Sequence, residues 1–433
     1  MQTYAAIIYK ACSLKSFSSS FHINISFFTG SIRRGLSLGS TPGVLLSSGQ
    51  TWVEMRRTSL HTLRDFGFGK SIVEDAIDEE IENLLAHIDA NYLNQPIDVG
   101  RFFNISVLAS LWRVISGESM KIGDPKLEGL IKIMEGFLKE LGSSLVTMSF
   151  NYVPLYNLLN KIGLISFQEI NNQLFMFNES VFKKLKDSDV DSDNPLNFTE
   201  ALIAKIQETK DPNSPFYGDR GELNLVNVLI DLFIGGSDTS STTLNWTMLY
   251  MILNPEVQNK VRDELKSNVG PFKRPKMEER HLTPYTEAVI HEVQRMGNIL
   301  PMAVFHYTTD EIQVGPYKVP KDTILIPMIG EVLTDAKNFP NPNKFQPERY
   351  LDVDEATKEM KFKPNPKVIP FGTGKRRCMG ELLARVTLYK FTTAIIQKYE
   401  IVSGQDEPIL EDAIPGFARI PVPYKLIFKP RDK

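Results

Sequence analysis

The sequence predicts a mainly α fold with a small β-lobe, an α+β architecture, on three observations. From Gln50 to Met296 the chain is a succession of segments whose apolar residues recur at i, i+3, i+4 and i+7, the period of an amphipathic helix. Two later segments, 301–328 and 417–430, are punctuated by Gly and Pro and read as short strands and hairpins. At 433 residues the chain exceeds the roughly 250–300 at which a single core stops growing, so two lobes or one large mixed domain are expected.

Composition narrows the function classes. A hydrophobic content of 42% is ample for a core, and a net charge of −3 with dispersed cations gives no sign of nucleic-acid binding, so no nucleic acid is expected as a partner. The two cysteines, Cys12 and Cys378, make no disulfide framework and fit a reducing compartment. N-x-S/T triplets at Asn104, Asn178, Asn197 and Asn245 arise often by chance and are discounted as glycosylation sites. Residues 1–53 contain no Asp or Glu, are rich in serine and carry Lys10, Lys15, Arg33 and Arg34, the composition of a mitochondrial transit peptide. The competing reading is an unstructured leader, and residues 1–42 are set apart from a domain at 43–433. No apolar run reaches the roughly 18 residues needed to span a bilayer.

The elements follow in order. QTWVEMRRTSLHTLRDFG and SIVEDAIDEEIENLLAHIDANY are two amphipathic helices parted by a turn at Gly67–Gly69. On the first, Trp52 and Arg56 stand four apart on one face; on its own such a pair is an aromatic packed beside a surface cation. NISVLASLWRVIS, DPKLEGLIKIMEGFLKEL and SFQEINNQLFMFNESVFKKLKD continue the helical pattern, interrupted by the polar stretches DSDVDSDNP and DPNSPFYGDRG. LNLVNVLIDLFIGGSDTSSTTLNWTMLYMIL is long and apolar, but Asp231 and Asp238 argue against a membrane span. Propensity balances one long helix against two broken at Gly235 and Gly236 with Ser237 or Asp238 as a new cap. NPEVQNKVRDELKS reads as a capped amphipathic helix and LTPYTEAVIHEVQRM as the next. On the latter, Glu292 and Arg295 are spaced i, i+3, which is generic when exposed and worth about 0.3 kcal/mol.

The stretch FGTGKRRCMG, Phe371 to Gly380, delivers Cys378 to the start of the apolar-periodic segment ELLARVTLYKFTTAIIQKY. Unpaired N–H groups and the helix dipole favour a thiolate there, and Lys375, Arg376 and Arg377 add positive charge. A lone cysteine is more often a small buried hydrophobe. Phe371, Gly374, Arg376, Cys378 and Gly380 together, however, resemble the ligand loop of the cytochrome P450 superfamily, the haem-thiolate monooxygenases. The segment RRTSLHTLRDFGFGK resembles the microsomal, drug- and steroid-metabolising branch, and the likeness extends over about 43–430.

The resemblance implies the rest. Cys378 is the axial ligand of a haem b (iron protoporphyrin IX) lying between the long central helix and the cysteine-loop helix. Phe371 shields the sulfur, while Trp52, Arg56, His306 and Arg376 meet the haem propionates. It decides for one continuous helix over 222–253, whose Gly235 and Gly236 let the haem approach while Asp238 and Thr239 deliver protons to oxygen. Glu292, Arg295 and Arg349, the last in FQPERY, form a buried network supporting the loop, and the apolar stretch 143–159 roofs a substrate pocket.

Implied too are O2 and NADPH as co-substrates, NADPH–cytochrome P450 reductase and cytochrome b5 as partners, peripheral membrane contact, and an apolar small-molecule substrate: a xenobiotic, steroid, fatty acid or terpenoid. The compartment is then the cytosolic face of the endoplasmic reticulum, against the mitochondrial reading of the leader. Family members normally carry more chain before the Trp52 position, so the expectation is an N-terminally incomplete member, with an impaired haem-binding protein as one alternative. A haem-thiolate isomerase is another, opposed by Thr239. A cysteine hydrolase would need a histidine near Cys378.

Overall fold

The structure is a computed structural model and describes residues 43–66, 71–120, 123–141, 153–188, 191–271, 273–304, 306–321, 323–354, 359–414, 416 and 418–431. The leader with Cys12, the Gly67–Gly69 turn and most of the stretch 143–159 lie outside the described residues.

In chain order the elements are α1 (Gly49–Asp65), α2 (Ser71–Asn91), β1 (Ile97–Asp98), α3 (Asn104–Ser116), α4 (Pro125–Leu141), α5 (Val153–Lys161), α6 (Phe167–Lys186), α7 (Phe198–Glu208), α8 (Gly218–Gly236), α9 (Asp238–Leu253), α10 (Pro255–Asn268) and α11 (Pro284–Gly297). There follow β2 (His306–Tyr307), β3 (Ile312–Val314), β4 (Tyr317–Val319), β5 (Ile324–Leu325), α12 (Ile329–Thr334), β6 (Leu351–Val353), β7 (Met360–Phe362), α13 (Glu381–Lys398), β8 (Tyr399–Ser403), β9 (Ala413–Ile414), β10 (Ile420–Pro421) and β11 (Lys425–Pro430). The mainly α fold with small antiparallel sheets is thus the observed one. The β character expected of 417–430 is borne out by β10 and β11, while sequence reasoning passed over α7, the strand pair β6/β7 and β8.

The expected single helix over 222–253 is two helices, α8 and α9, meeting at Ser237. Ser237 keeps helical dihedrals, φ −91° and ψ −59°. Two successive glycines before it have the weakest helix propensity short of proline, and the Ser241 hydroxyl bonds the Ser237 carbonyl at 2.9 Å, beside the Ser241 N–H at 3.2 Å. The cap expected for α10 is also not made: the Asn254 amide turns back to the Tyr250 carbonyl at 2.9 Å.

The chain divides into two compact units, Met1–Lys70 with Leu111–Gly235 and Met302–Met328, and Ser71–Ser110 with Gly236–Pro301 and Ile329–Lys433. In the first, α4 packs on α6 and α7 on α1 and α6, around Leu127, Leu130, Leu174, Phe198 and Leu202. The hairpin β3/β4 turns at Gly315, where φ is +58°. In the second, α9, α11 and α13 pack together around Trp246, Val289, Val293, Phe391 and Ile395. β11 pairs antiparallel with β1 and β8, Ile97 opposite Leu426 and Val402 opposite Ile427. Asn104, Asn178, Asn197 and Asn245 are all buried, so none offers its amide to a glycan. No helix among the described residues is long and apolar enough to cross a membrane.

Candidate active site

The loop 371–380 lies in the second unit. Gly372 and Gly374 take φ of +69° and +73°, values open to glycine, and fold the chain back so that the Cys378 N–H donates to the Phe371 carbonyl at 2.8 Å. Gly380 is the N-cap of α13, which puts Cys378 just outside a helix start whose first N–H groups are unpaired within the helix. The thiol is exposed. Among the loop's cations, Arg377 is tied to Glu381 at 2.5 Å and Arg376 is half-buried. Glu381 also accepts from Arg385 at 3.0 Å, and the Arg385 guanidinium lies 5.1 Å over the Phe371 ring, so α13 itself fixes that aromatic.

A Cβ placed on Gly372, Gly374 or Gly380 would meet nothing within 4 Å, and Leu382 just beyond is 47% exposed. The loop therefore presents an open face with one soft sulfur donor. No group of three His, Cys, Asp or Glu among the described residues could hold a bare metal ion. A metal bound by Cys378 must bring its other ligands with it, as haem iron does, and the loop fits that group.

Asp238 opens α9 and Thr239 follows it, both half-buried. Burial pushes the Asp238 carboxyl above the usual carboxylate range, while a hydrogen bond from the Asn104 side chain pulls it partly back. Asn104 was missed as a partner of this site; its only sequence signal, an N-x-S/T triplet, says nothing about that contact. The Thr239 carbonyl accepts from the Thr243 hydroxyl at 2.8 Å.

In the first unit, Trp52 and Arg56 do share one face of α1, the guanidinium 5.8 Å from the indole ring. Gly235 is exposed at the end of α8, with nothing within 4 Å of a Cβ built on it, and Gly236 is half-buried in the second unit. His306 begins β2, its Nδ1 donating to the Val304 carbonyl at 2.7 Å.

Glu292, itself fully buried, is the centre of a cluster in the second unit whose Arg295 and Tyr350 are buried and whose Arg349 and Gln346 are partly so. It accepts Arg295 Nε at 2.7 Å and Nη2 at 2.9 Å, a bidentate fork, and Arg349 Nε at 3.1 Å. It also accepts the Tyr350 hydroxyl at 2.7 Å and the Gln346 N–H at 3.0 Å, two partners that sequence reasoning missed. Arg295 reaches on to the Leu333 carbonyl at 2.9 Å, and Arg349 to those of Pro340 and Lys344 at 3.0 and 3.2 Å. The pair that spacing alone rated as generic is therefore a buried clamp on the chain between α12 and β6.

The family model described as cytochrome P450 matches residues 13–428. The chain is 32% identical over 397 residues to cytochrome P450 2H1 of Gallus gallus, covering 90% of this chain and 77% of that protein. Against cytochrome P450 2D9 of Mus musculus it is 33% identical over 408 residues, 92% of this chain and 77% of the relative. Against cytochrome P450 2A13 of Homo sapiens the figures are 33% over 395 residues, 90% and 77%.

Proposed function

Because the chain belongs to the cytochrome P450 family, we propose that it inserts one oxygen atom of O2 into an apolar small molecule, a xenobiotic or steroid, with electrons from NADPH passed through NADPH–cytochrome P450 reductase. As a member of that family it is a haem monooxygenase, of the microsomal drug- and steroid-metabolising type. Haem b, when bound, supplies the oxygen activation, to which a thiolate ligand contributes electron density.

The observation that carries the proposal is the loop itself: an exposed Cys378 set before α13, with open space over three glycines. Cys378 would hold the iron, Phe371 would cover the sulfur, and Arg376, Trp52, Arg56 and His306 would bind the propionates. Asp238 carries a proton more readily than an exposed carboxyl, because burial raises its pKa, and would pass it through the Thr239 hydroxyl. Glu292, Arg295 and Arg349 would hold the loop's approach rigid without touching substrate.

Peripheral contact with the cytosolic face of the endoplasmic reticulum is supported by Leu155, Leu158, Ile162 and Leu164, apolar residues 39, 52, 56 and 59% exposed in and just after α5. Cytochrome b5 is proposed as a second electron donor. Cys378→Ala should lose the red-shifted carbon-monoxide band of the reduced protein and all turnover with reductase and NADPH. A variant that keeps that band removes Cys378 as the ligand.

A further inference from the structure

A cavity of about 210 Å³ lies in the first unit, between the end of α3, the start of α4 and α6. None of its lining residues is a candidate haem or proton-delivery residue. Its walls are Trp112, with Phe177, Val181 and Leu185, which follow one another at i, i+4 and i+8 along α6. The indole meets the Phe177 ring edge-on at 5.7 Å and stacks its face on Phe233 at 5.6 Å. Ser116, Glu118, Lys126, Ser180 and Lys184 complete the lining.

Two donors of this lining, and only two, have no acceptor among the described residues. The Ser116 hydroxyl donates to the Trp112 carbonyl at 3.0 Å, and its oxygen accepts the Glu118 N–H at 3.2 Å. The Ser180 hydroxyl donates to the Phe177 carbonyl at 2.7 Å. Glu118 is spent on Lys184. The Lys126 ammonium remains with no ion pair among the described residues, and the buried Trp112 indole N–H has no hydrogen-bond partner among them. An apolar, aromatic-walled cavity with an exposed cation left without an ion pair and a buried indole N–H without an acceptor calls for a ligand with a flat apolar body and a negatively charged end.

We propose that this cavity is a second binding site, separate from the oxygenation site, for a small aromatic carboxylate. The ring lies against Trp112, Phe177 and Val181, and the carboxylate pairs with Lys126 at the mouth. The volume limits the ligand to about the size of a bicyclic ring, below the roughly 300 Å³ at which drug-sized sites begin.

The test uses the haem-loaded full chain with its oxygenation site filled by a tight azole inhibitor. Calorimetry then follows binding of 2-naphthoate and of its uncharged methyl ester. Saturable binding of the acid is expected, at least fivefold weaker for the ester and at least fivefold weaker in Lys126→Glu. Val181→Trp, which fills the cavity, should abolish it while leaving the haem spectrum and azole shift unchanged. If Val181→Trp does not incorporate haem, the exposed Lys126→Glu and the ester decide alone. No binding to the wild type, equal binding of acid and ester, or equal binding to wild type and either variant overturns the proposal.

Discussion

His291 shows how burial, more than any single charge, can make one residue pH-sensitive. Its side chain packs edge-on against Tyr350 at 4.6 Å and Phe362 at 5.5 Å, and its Nε2 is buried with no partner among the described residues. Burial, helped by the Arg385 guanidinium, pushes its pKa from 6.5 down to about 4. The unfolded chain therefore binds the proton first, and stability falls as pH drops from about 6.5 towards 4, while nothing is lost above 6.5. The loss approaches about 3 kcal/mol, and His291→Phe should remove it, read as urea midpoints at pH 7 and pH 4.5 that differ less than in the wild type. Thr239 bears on chemistry instead. Thr239→Ala should keep the haem spectrum but release more hydrogen peroxide per product in the reconstituted system; unchanged coupling would take Thr239 out of proton delivery.

At the scale of the element, α11 is capped from outside. The hydroxyl of Thr283, its N-cap residue, is engaged by the Arg280 carbonyl and the Tyr389 hydroxyl, so it cannot serve the helix. Glu264 on α10 replaces it, accepting the Tyr285 and Thr286 N–H groups at 2.8 Å each and the Thr286 hydroxyl at 2.7 Å. A carboxylate at the positive end of the helix dipole suits both charges. Glu264→Ala strands three buried donors and should cost about 3 kcal/mol in chemical denaturation, with Glu264→Gln recovering part of it. A loss near zero would mean that water satisfies those groups.

For the whole molecule, polar contacts bind segments far apart in sequence. Buried Lys390 on α13 meets Glu74 at 2.9 Å and Asp78 at 2.8 Å on α2, and Tyr399 donates to Asp89 at 2.7 Å. The Glu292 cluster works over shorter separations, 54 to 58 residues, fastening α11 to the chain that leads towards the cysteine loop. Removing Arg295 leaves the Glu292 carboxylate buried without its bidentate partner, a loss of roughly 3–5 kcal/mol. Arg295→Ala should accumulate little holoprotein, measured as haem per purified chain, and normal haem content would reduce the cluster to an incidental contact.

The sequence by itself determined what is local or strictly spaced. Helical periods placed α1, α2, α3, α4, α6, α10 and α11, Gly and Pro punctuation placed the hairpin β3/β4, and the spacing from Phe371 to Gly380 carried the family. Tertiary structure alone decided that the helix breaks at Ser237, a place the sequence offered without choosing it, because one long helix and two short ones have nearly equal local free energy. It also decided which polar groups are buried together. Tyr350 on Glu292, Asn104 beside Asp238 and Glu264 on the start of α11 join residues with no common period. Such pairings are fixed only when packing removes water and each buried donor or acceptor must find a partner within reach.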